Sequence, residues 1–133
     1  MQFLGRTTEG FTESLIIPLS DEVTDISVAG GVYNFFLPYT CTIDSIRISL
    51  NGQCSGTDVI VDVNADGTSL FTNTRVHLPA GNNVSLVQPD FEQDTKLDAF
   101  TRIDFDIDQV GSVVSGYGLK AMIILHKSTD IEL

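Results

Sequence analysis

The sequence is poor in basic residues. It has 7 Lys and Arg against 18 Asp and Glu, which gives a formal net charge of −11 at pH 7. No segment gathers its Lys and Arg into a cluster. Because such a surface would repel a nucleic-acid backbone, we expect no nucleic-acid partner. The charge favours a solvated acidic surface, or one complementary to a basic partner.

Long hydrophobic runs are missing as well. The longest are short, as at residues 15–17 and 121–125, whereas a helix needs roughly 20 apolar residues to span a bilayer. The N-terminus lacks the basic and apolar regions of a cleaved secretion signal. We therefore expect no membrane partner and a mature chain that starts at Met1.

Cysteine is scarce, with Cys41 and Cys54 as the two examples. The residues between them alternate apolar and polar from Ser45 to Leu50, which predicts an extended strand. If the whole segment from Thr42 to Leu50 is extended, it separates the two cysteines by roughly 30 Å, and a disulfide needs Cα atoms within about 7 Å. The sequence therefore predicts two free thiols, as suits a reducing cytosol.

Tryptophan is absent, and the motifs of common enzyme classes are missing too. No serine lies in a Gly-x-Ser-x-Gly elbow, and the glycine-rich residues 110–118 lack the Lys-Ser/Thr of a phosphate loop. Asp104, Asp106 and Asp108 recur at every second residue, and paired carboxylates serve glycosidases as acid and base. Those enzymes also need sugar-stacking aromatics, so we interpret the row as a solvated strand face, or one paired with a partner's Lys or Arg. We expect no enzyme, no catalytic residue and no cofactor.

Two features bear on metal binding. His77 and His126 are isolated, without the spaced Cys, His or Glu partners of a zinc site. Residues 62–67 match the first half of a calcium-binding EF-hand loop, but the twelfth position holds Asn73 instead of the closing Glu. Asp66 and Gly67 suit the positive φ angles of a tight β-hairpin. We therefore predict a hairpin there and no metal site.

Short alternating segments fill the rest of the chain. Their spacing predicts strands at residues 15–19, 24–28, 32–37, 45–50, 58–63, 69–77, 84–87, 99–108 and 118–127. The last of these is apolar on both faces, which places it centrally in a sheet. Helical periodicity is weak, with residues 90–100 the one plausible helical turn. The expected fold is all-β, an antiparallel two-sheet β-sandwich of about eight strands, jelly-roll-like, over residues 15–133.

Residues 1–14 are the least regular part of the chain and form the predicted N-terminal arm. Phe3, Leu4 and Phe11 are spaced through it. These three are the candidate interface residues, as anchors on a neighbouring molecule. The alternative is a frayed terminus.

Five segments carry a resemblance to a known type of domain: IPLSDEVTDI at 17–26, FLPY at 36–39, IVDVNADGTSLF at 60–71, IDQVGS at 107–112 and GLK at 118–120. Together they resemble a jelly-roll domain of tailed-phage virions, which decorates heads or forms parts of fibres. The resemblance spans about four-fifths of the chain; the two cysteines and the Phe-rich N-terminal segment depart from it.

The resemblance implies a capsid decoration (cement) protein that binds the outside of the phage head and stabilises it. Its partner would then be the major capsid protein, and its location the virion, assembled in the host cytoplasm. A homotrimer is expected because capsids present local threefold positions. The alternative is a tail-fibre or receptor-binding module that recognises the host surface.

Overall fold

Nine β-strands form two antiparallel sheets. The computed structural model describes residues 11–85 and 96–127, which contain β1 (Phe11–Pro18), β2 (Ala29–Phe36), β3 (Cys41–Ser49), β4 (Val59–Ala65), β5 (Thr68–Ser69), β6 (Val76–Leu78), β7 (Lys96–Leu97), β8 (Arg102–Gln109) and β9 (Lys120–Lys127). The first sheet has the order β1-β9-β3-β7, and the second β2-β8-β4-β5, with β6 also paired to β4. In these two ranges no helix is long and apolar enough to cross a membrane.

The strand order is that of a jelly roll. The first and last strands, β1 and β9, are neighbours in one sheet, and β2 and β8 are neighbours in the other. Apart from β4, β5 and β6, which all belong to the second sheet, successive strands alternate between the sheets, as two interleaved Greek keys require. This confirms the predicted all-β sandwich, and β9 is central in its sheet as predicted.

The core lies between the two sheets and follows directly from the alternation in the sequence. In β8 and β9 every second residue is buried, among them Phe105 and Ile123, and in β4 the three valines Val59, Val61 and Val63 are buried. The ring of Phe105 stacks on that of Phe35 at 6.3 Å between centroids. Full burial of such a side chain contributes about 1.5–3 kcal/mol, so these alternating positions determine the inward face of each strand.

The predicted hairpin connects β4 and β5. Ala65 pairs with Thr68, and Asp66 and Gly67 between them have φ angles of 49° and 86°. Positive φ at both central residues is the requirement of a two-residue hairpin turn. The hairpin prediction is confirmed.

Both cysteines are free and buried. Cys41 begins β3, which is extended to Ser49 as predicted but begins four residues before the predicted strand at 45–50. Burial raises the pKa of the Cys41 thiol, with a smaller contribution from the nearby Glu13 carboxylate. Since the thiolate is the reactive form, this environment disfavours reaction at Cys41.

The prediction of a strand at residues 24–28 is wrong. The Asp21 carboxylate accepts hydrogen bonds from the backbone N–H of Val23 at 2.9 Å and of Thr24 at 2.7 Å. A side chain thus satisfies backbone donors that a strand would offer to a neighbour, and it bends the chain. Asp25 keeps one isolated bridge to Tyr117. The two hydrogen bonds, that of Thr24 most strongly, lower the pKa of Asp21.

The single strand predicted at residues 69–77 is also wrong, because it is split into β5 and β6. The Ser69 hydroxyl accepts the N–H of Phe71 at 3.2 Å, and the Leu70 N–H donates to the Val63 oxygen. Phe71 is buried against the core. Because Phe71 turns into the core, the pairing with β4 is interrupted after β5 and resumes at β6.

The remaining differences concern the ends of elements. β1 begins at Phe11 instead of residue 15, so residues 11–14 of the predicted arm lie in a strand. β8 begins at Arg102 instead of residue 99. Val84 forms an isolated bridge with Ser49, while residues 86–87 of that predicted strand lie outside the described residues. Of the predicted helical turn, residues 96–97 form β7 and residues 90–95 lie outside the described residues.

Candidate functional site

Four aromatic side chains lie at one end of the sandwich, here called the aromatic end: Phe11, Phe36, Tyr39 and Phe100. Phe11 begins β1 opposite the last residue of β9, and Phe36 ends β2 opposite the first residue of β8. Tyr39 lies in the β2–β3 connection and Phe100 in the β7–β8 connection. The antiparallel topology therefore gathers them from both sheets.

Lys127 connects two of these rings. Its Nζ atom lies 4.7 Å from the ring centroid of Tyr39 and 6.0 Å from that of Phe11. An ammonium group over an exposed aromatic face contributes about 0.5–1 kcal/mol. The lysine therefore ties β1 and the β2–β3 connection to the end of β9.

Phe100 has an unusual backbone conformation for an aromatic residue. Its φ angle is +70°, in the left-handed region that costs most L-residues about 1–2 kcal/mol. Its N–H donates to the Leu37 oxygen at 2.7 Å, and the Thr101 N–H donates to the Asp98 oxygen at 3.2 Å. These hydrogen bonds hold the turn, and the ring remains 74% exposed. Strained residues of this kind cluster at functional sites.

The other phenylalanine rings of the aromatic end are exposed as well, Phe36 at 61% and Phe11 at 59%. Exposed apolar area costs roughly 25 cal/mol per Å² relative to the buried state, and a partner that covers the rings removes that cost. Aromatic residues are also enriched in the cores of protein interfaces. The aromatic end thus has the chemistry of an adhesive surface.

The aspartate row of β8 lies on the outer face of the second sheet, opposite the buried residues of the same strand. Asn64 of β4, itself only 9% exposed, donates from Nδ2 to Asp104 Oδ1 and to Asp106 Oδ2, both at 2.9 Å. The Gly31 N–H donates to Asp106 Oδ1 at 2.8 Å. One amide group thus bridges two carboxylates that would otherwise repel each other.

On this face Arg102 Nη2 lies 4.0 Å from Asp104 Oδ2, and Arg75 supplies a second positive charge. Its Nε lies 3.3 Å from Asp62 Oδ2 and 3.0 Å from Asp108 Oδ2. The Ser69 hydroxyl donates to Asp62 Oδ1 at 2.6 Å. The sequence predicts a solvated row or one paired with a partner; in the structure the row lies on an outer face, and its carboxylates also contact donors of the same chain.

Asp108 is the last carboxylate of the row, and its pKa is shifted upward. Partial burial raises its pKa, the nearby Asp62 and Asp106 carboxylates raise it further, and the Arg75 guanidinium lowers it. In residues 11–85 and 96–127 no group of three or more His, Cys, Asp and Glu is arranged to hold a metal ion. His77 lies in β6 of the second sheet and His126 in β9 of the first, so the fold does not bring the two histidines together.

The opposite end of the sandwich, here called the loop end, consists of the β1–β2, β3–β4 and β8–β9 connections. Hydrogen bonds join them: the N–H groups of Asn51 and Gly52 donate to the Tyr117 oxygen at 3.0 and 3.1 Å, and the Ser55 N–H donates to the Val114 oxygen at 2.9 Å. A Cβ at Gly52 would lie 2.0 Å from the Tyr117 ring, so glycine is required there. The glycine-rich residues 110–118 lie in the connection between β8 and β9.

Exposed valine side chains lie on the loop end. Val23 is 81% and Val113 79% exposed. Glu22, next to Val23 in the chain, lies 2.7 Å from Lys120 Nζ and is hydrogen-bonded to Asn51. The loop end is a second candidate surface, aliphatic where the aromatic end is aromatic.

Of the three predicted interface residues, Phe11 belongs to the aromatic end, while Phe3 and Leu4 lie outside the described residues. Phe36 and Phe100 are the functional candidates that the sequence analysis missed. A signal existed for Phe36: it follows Phe35 in a strand, and adjacent strand residues point to opposite faces, so one ring had to be outside. No local pattern marks the positive φ of Phe100.

No family model matches the chain, and neither does any curated protein or solved structure. The resemblance to phage virion domains therefore stays a prediction.

Proposed function

We propose that the protein is a non-catalytic capsid decoration protein of a tailed phage, which attaches to the outside of the head through its aromatic end. The single observation that carries the proposal of an adhesive role is the collection of exposed phenylalanines at one end of the sandwich. The phage assignment rests on the sequence resemblance, and the major capsid protein is the proposed partner.

The geometry of Phe100 supports the choice of this end. A relaxed turn would accept Gly or Asn at its positive φ, yet the position holds a bulky ring that is 74% exposed. The ring adds little burial to the fold itself. An aromatic side chain held outward at a conformational cost is explained if it fills a pocket of a partner.

The rest of the molecule suits a mechanical role. The two sheets and the core between them connect the aromatic end to the loop end, whose connections are joined by backbone hydrogen bonds. On a shell, each bound copy would add interface area between capsomers and so lower the free energy of the assembled state. Many copies act together, so a modest affinity for each copy suffices.

Co-sedimentation with empty shells of the major capsid protein tests the proposal. The full chain should pellet with shells in a saturable way. The double variant Phe36→Ser/Phe100→Ser should bind at least about 30-fold more weakly, since loss of a hot-spot aromatic costs about 2 kcal/mol or more. The matched control is Val113→Ser, which removes an equally exposed apolar side chain from the loop end and should bind like the wild type. A wild-type protein that stays in the supernatant contradicts the proposal.

The second candidate function is a fibre or receptor-binding module, and the loop end is the observation that favours it. Its valines sit on a hydrogen-bonded platform, and binding residues often lie on loops held by a rigid scaffold. Binding to host cells that is lost in Val113→Ser and kept in the double phenylalanine variant would select this function over decoration.

A further inference from the structure

β1 is an edge strand with little of the usual protection of a sheet edge, since its one charged residue is Glu13. Its eight residues pair with β9 in one unbroken register, and no described residue range supplies a strand on its other side. Monomeric proteins blunt such edges with lysines, bulges or very short strands. β1 contains no lysine, and its single proline, Pro18, is its last residue.

The other edges of the described sheets do carry such protection. β7, β5 and β6 are only two or three residues long. β2 has an irregularity between Ala29 and Tyr33, and its Gly31 N–H is occupied by the Asp106 carboxylate. β1 is therefore the edge best suited to receive another strand.

The register identifies which backbone groups of β1 face outward. The Leu19 N–H donates to the Leu119 oxygen at 2.9 Å, one step beyond the Pro18–Lys120 pair. Hydrogen-bonded and non-hydrogen-bonded pairs alternate along an antiparallel ladder. The odd-numbered residues of β1 therefore bond to β9, and Thr12, Ser14 and Ile16 direct their N–H and C=O groups to the open edge.

We propose that β1 of a second copy of this chain fills that edge, antiparallel and about a twofold axis at Ser14. Thr12 then exchanges two backbone hydrogen bonds with Ile16 of the second copy, and Ser14 exchanges two with its own equivalent. Every outward N–H of the strand thereby meets an outward C=O. The two first sheets become one continuous sheet across the axis.

The side chains agree with this register. The one charged residue of β1, Glu13, comes to lie opposite Leu15 of the second copy and not opposite another Glu13, so no like charges meet. Phe11, 59% exposed in the single chain, comes to lie opposite Ile17 of the second copy. Aromatic and β-branched residues form favourable cross-strand pairs. The pairing needs neither the capsid nor any other partner.

Mass measurement by light scattering tests the dimer. The full chain should reach twice its 14.5 kDa as its concentration rises. Ser14→Lys places two ammonium groups opposite each other at the axis and should raise the dissociation constant about tenfold or more. Ser45→Lys makes the same change on the same sheet face, level with Ser14 but on β3, and should leave the dimer intact. A wild-type monomer at all concentrations, a trimer, or a dimer insensitive to Ser14→Lys would overturn the proposal.

Disulfide cross-linking tests the register. In a hydrogen-bonded pair the Cα atoms lie about 5.5 Å apart, within disulfide reach, so Ser14→Cys should form a covalent dimer under mild oxidation. In Thr12→Cys the equivalent residues lie about 13 Å apart along the strands and should stay reduced. Native Cys41 and Cys54 are 2% and 1% exposed and do not compete. Equal cross-linking of the two variants, or none in Ser14→Cys, would overturn the register.

Discussion

Replacing Phe100 by Asn should stabilise the protein, although it removes a large hydrophobic side chain. The residue occupies the left-handed region at φ +70°, which costs an ordinary L-residue about 1–2 kcal/mol and costs Asn much less. The ring is 74% exposed, so about a quarter of the roughly 3 kcal/mol available from full burial is lost with it. The balance is a gain of about 0.5–1 kcal/mol.

Thermal unfolding measures this gain. For a chain of this length 1 kcal/mol corresponds to about 4 °C in Tm, so Phe100→Asn should raise Tm by about 2–4 °C. Phe100→Ala is the matched control: it removes the same ring but keeps the backbone cost, so its Tm should fall. Phe36→Asn removes another exposed ring, but from a strand, and should not stabilise. If Phe100→Asn melts at or below the Tm of Phe100→Ala, the assignment of strain to this residue is refuted.

Three further predictions concern other parts of the fold. Asp108→Asn should raise the free energy of unfolding at pH 7, because the pKa of Asp108 in the folded state lies above the 3.8 of the free group and its ionisation therefore disfavours folding. In urea titrations this gain should vanish as the pH falls below 3.8, where Asp108 is protonated in both the folded and the unfolded state. An equal gain at about pH 3 would contradict this. Gly67→Ala should cost about 1 kcal/mol in the same titration, because φ is +86° and no described atom lies within 4 Å of the added Cβ; an unchanged midpoint would show that the turn tolerates alanine. Both thiols should react with a thiol reagent only after denaturation, since Cys41 and Cys54 are buried; rapid labelling of the native protein would show that one of them is accessible.

Much of the architecture was readable from local patterns. The alternation of Val59, Val61 and Val63 predicts an inward face because a strand has a period of two, and burial in the fold agrees. The Asp66-Gly67 pair predicts the hairpin because few residues accept positive φ. One strand prediction failed because a side chain satisfies backbone donors. The Asp21 carboxylate accepts hydrogen bonds from backbone N–H groups at the start of the segment that was expected to form a strand.

The residues of the aromatic end could be predicted from the sequence only in part. Phe11 was identified because it stands in an irregular, Phe-containing segment. Phe36 and Phe100 are far apart in the sequence, and the hydrogen bonds around Leu37 bring their two connections together. Nothing near Phe100 in the sequence signals its backbone strain, because that strain is imposed by the two strands that the turn must join.

The sequence by itself determined the all-β class, the inward face of the strands and the central place of β9, because each depends on the periodicity of hydrophobic residues within one segment. Only the tertiary structure decided which strands are neighbours, which aromatic rings lie together at the aromatic end, and that β1 is an unpaired sheet edge within the described residues. Those outcomes depend on long-range antiparallel pairing. Asn64 illustrates this, since it bridges Asp104 and Asp106 only after β4 and β8 have paired. Hydrophobic periodicity determines how each strand faces the core, but it carries little information about which distant strand will lie beside it.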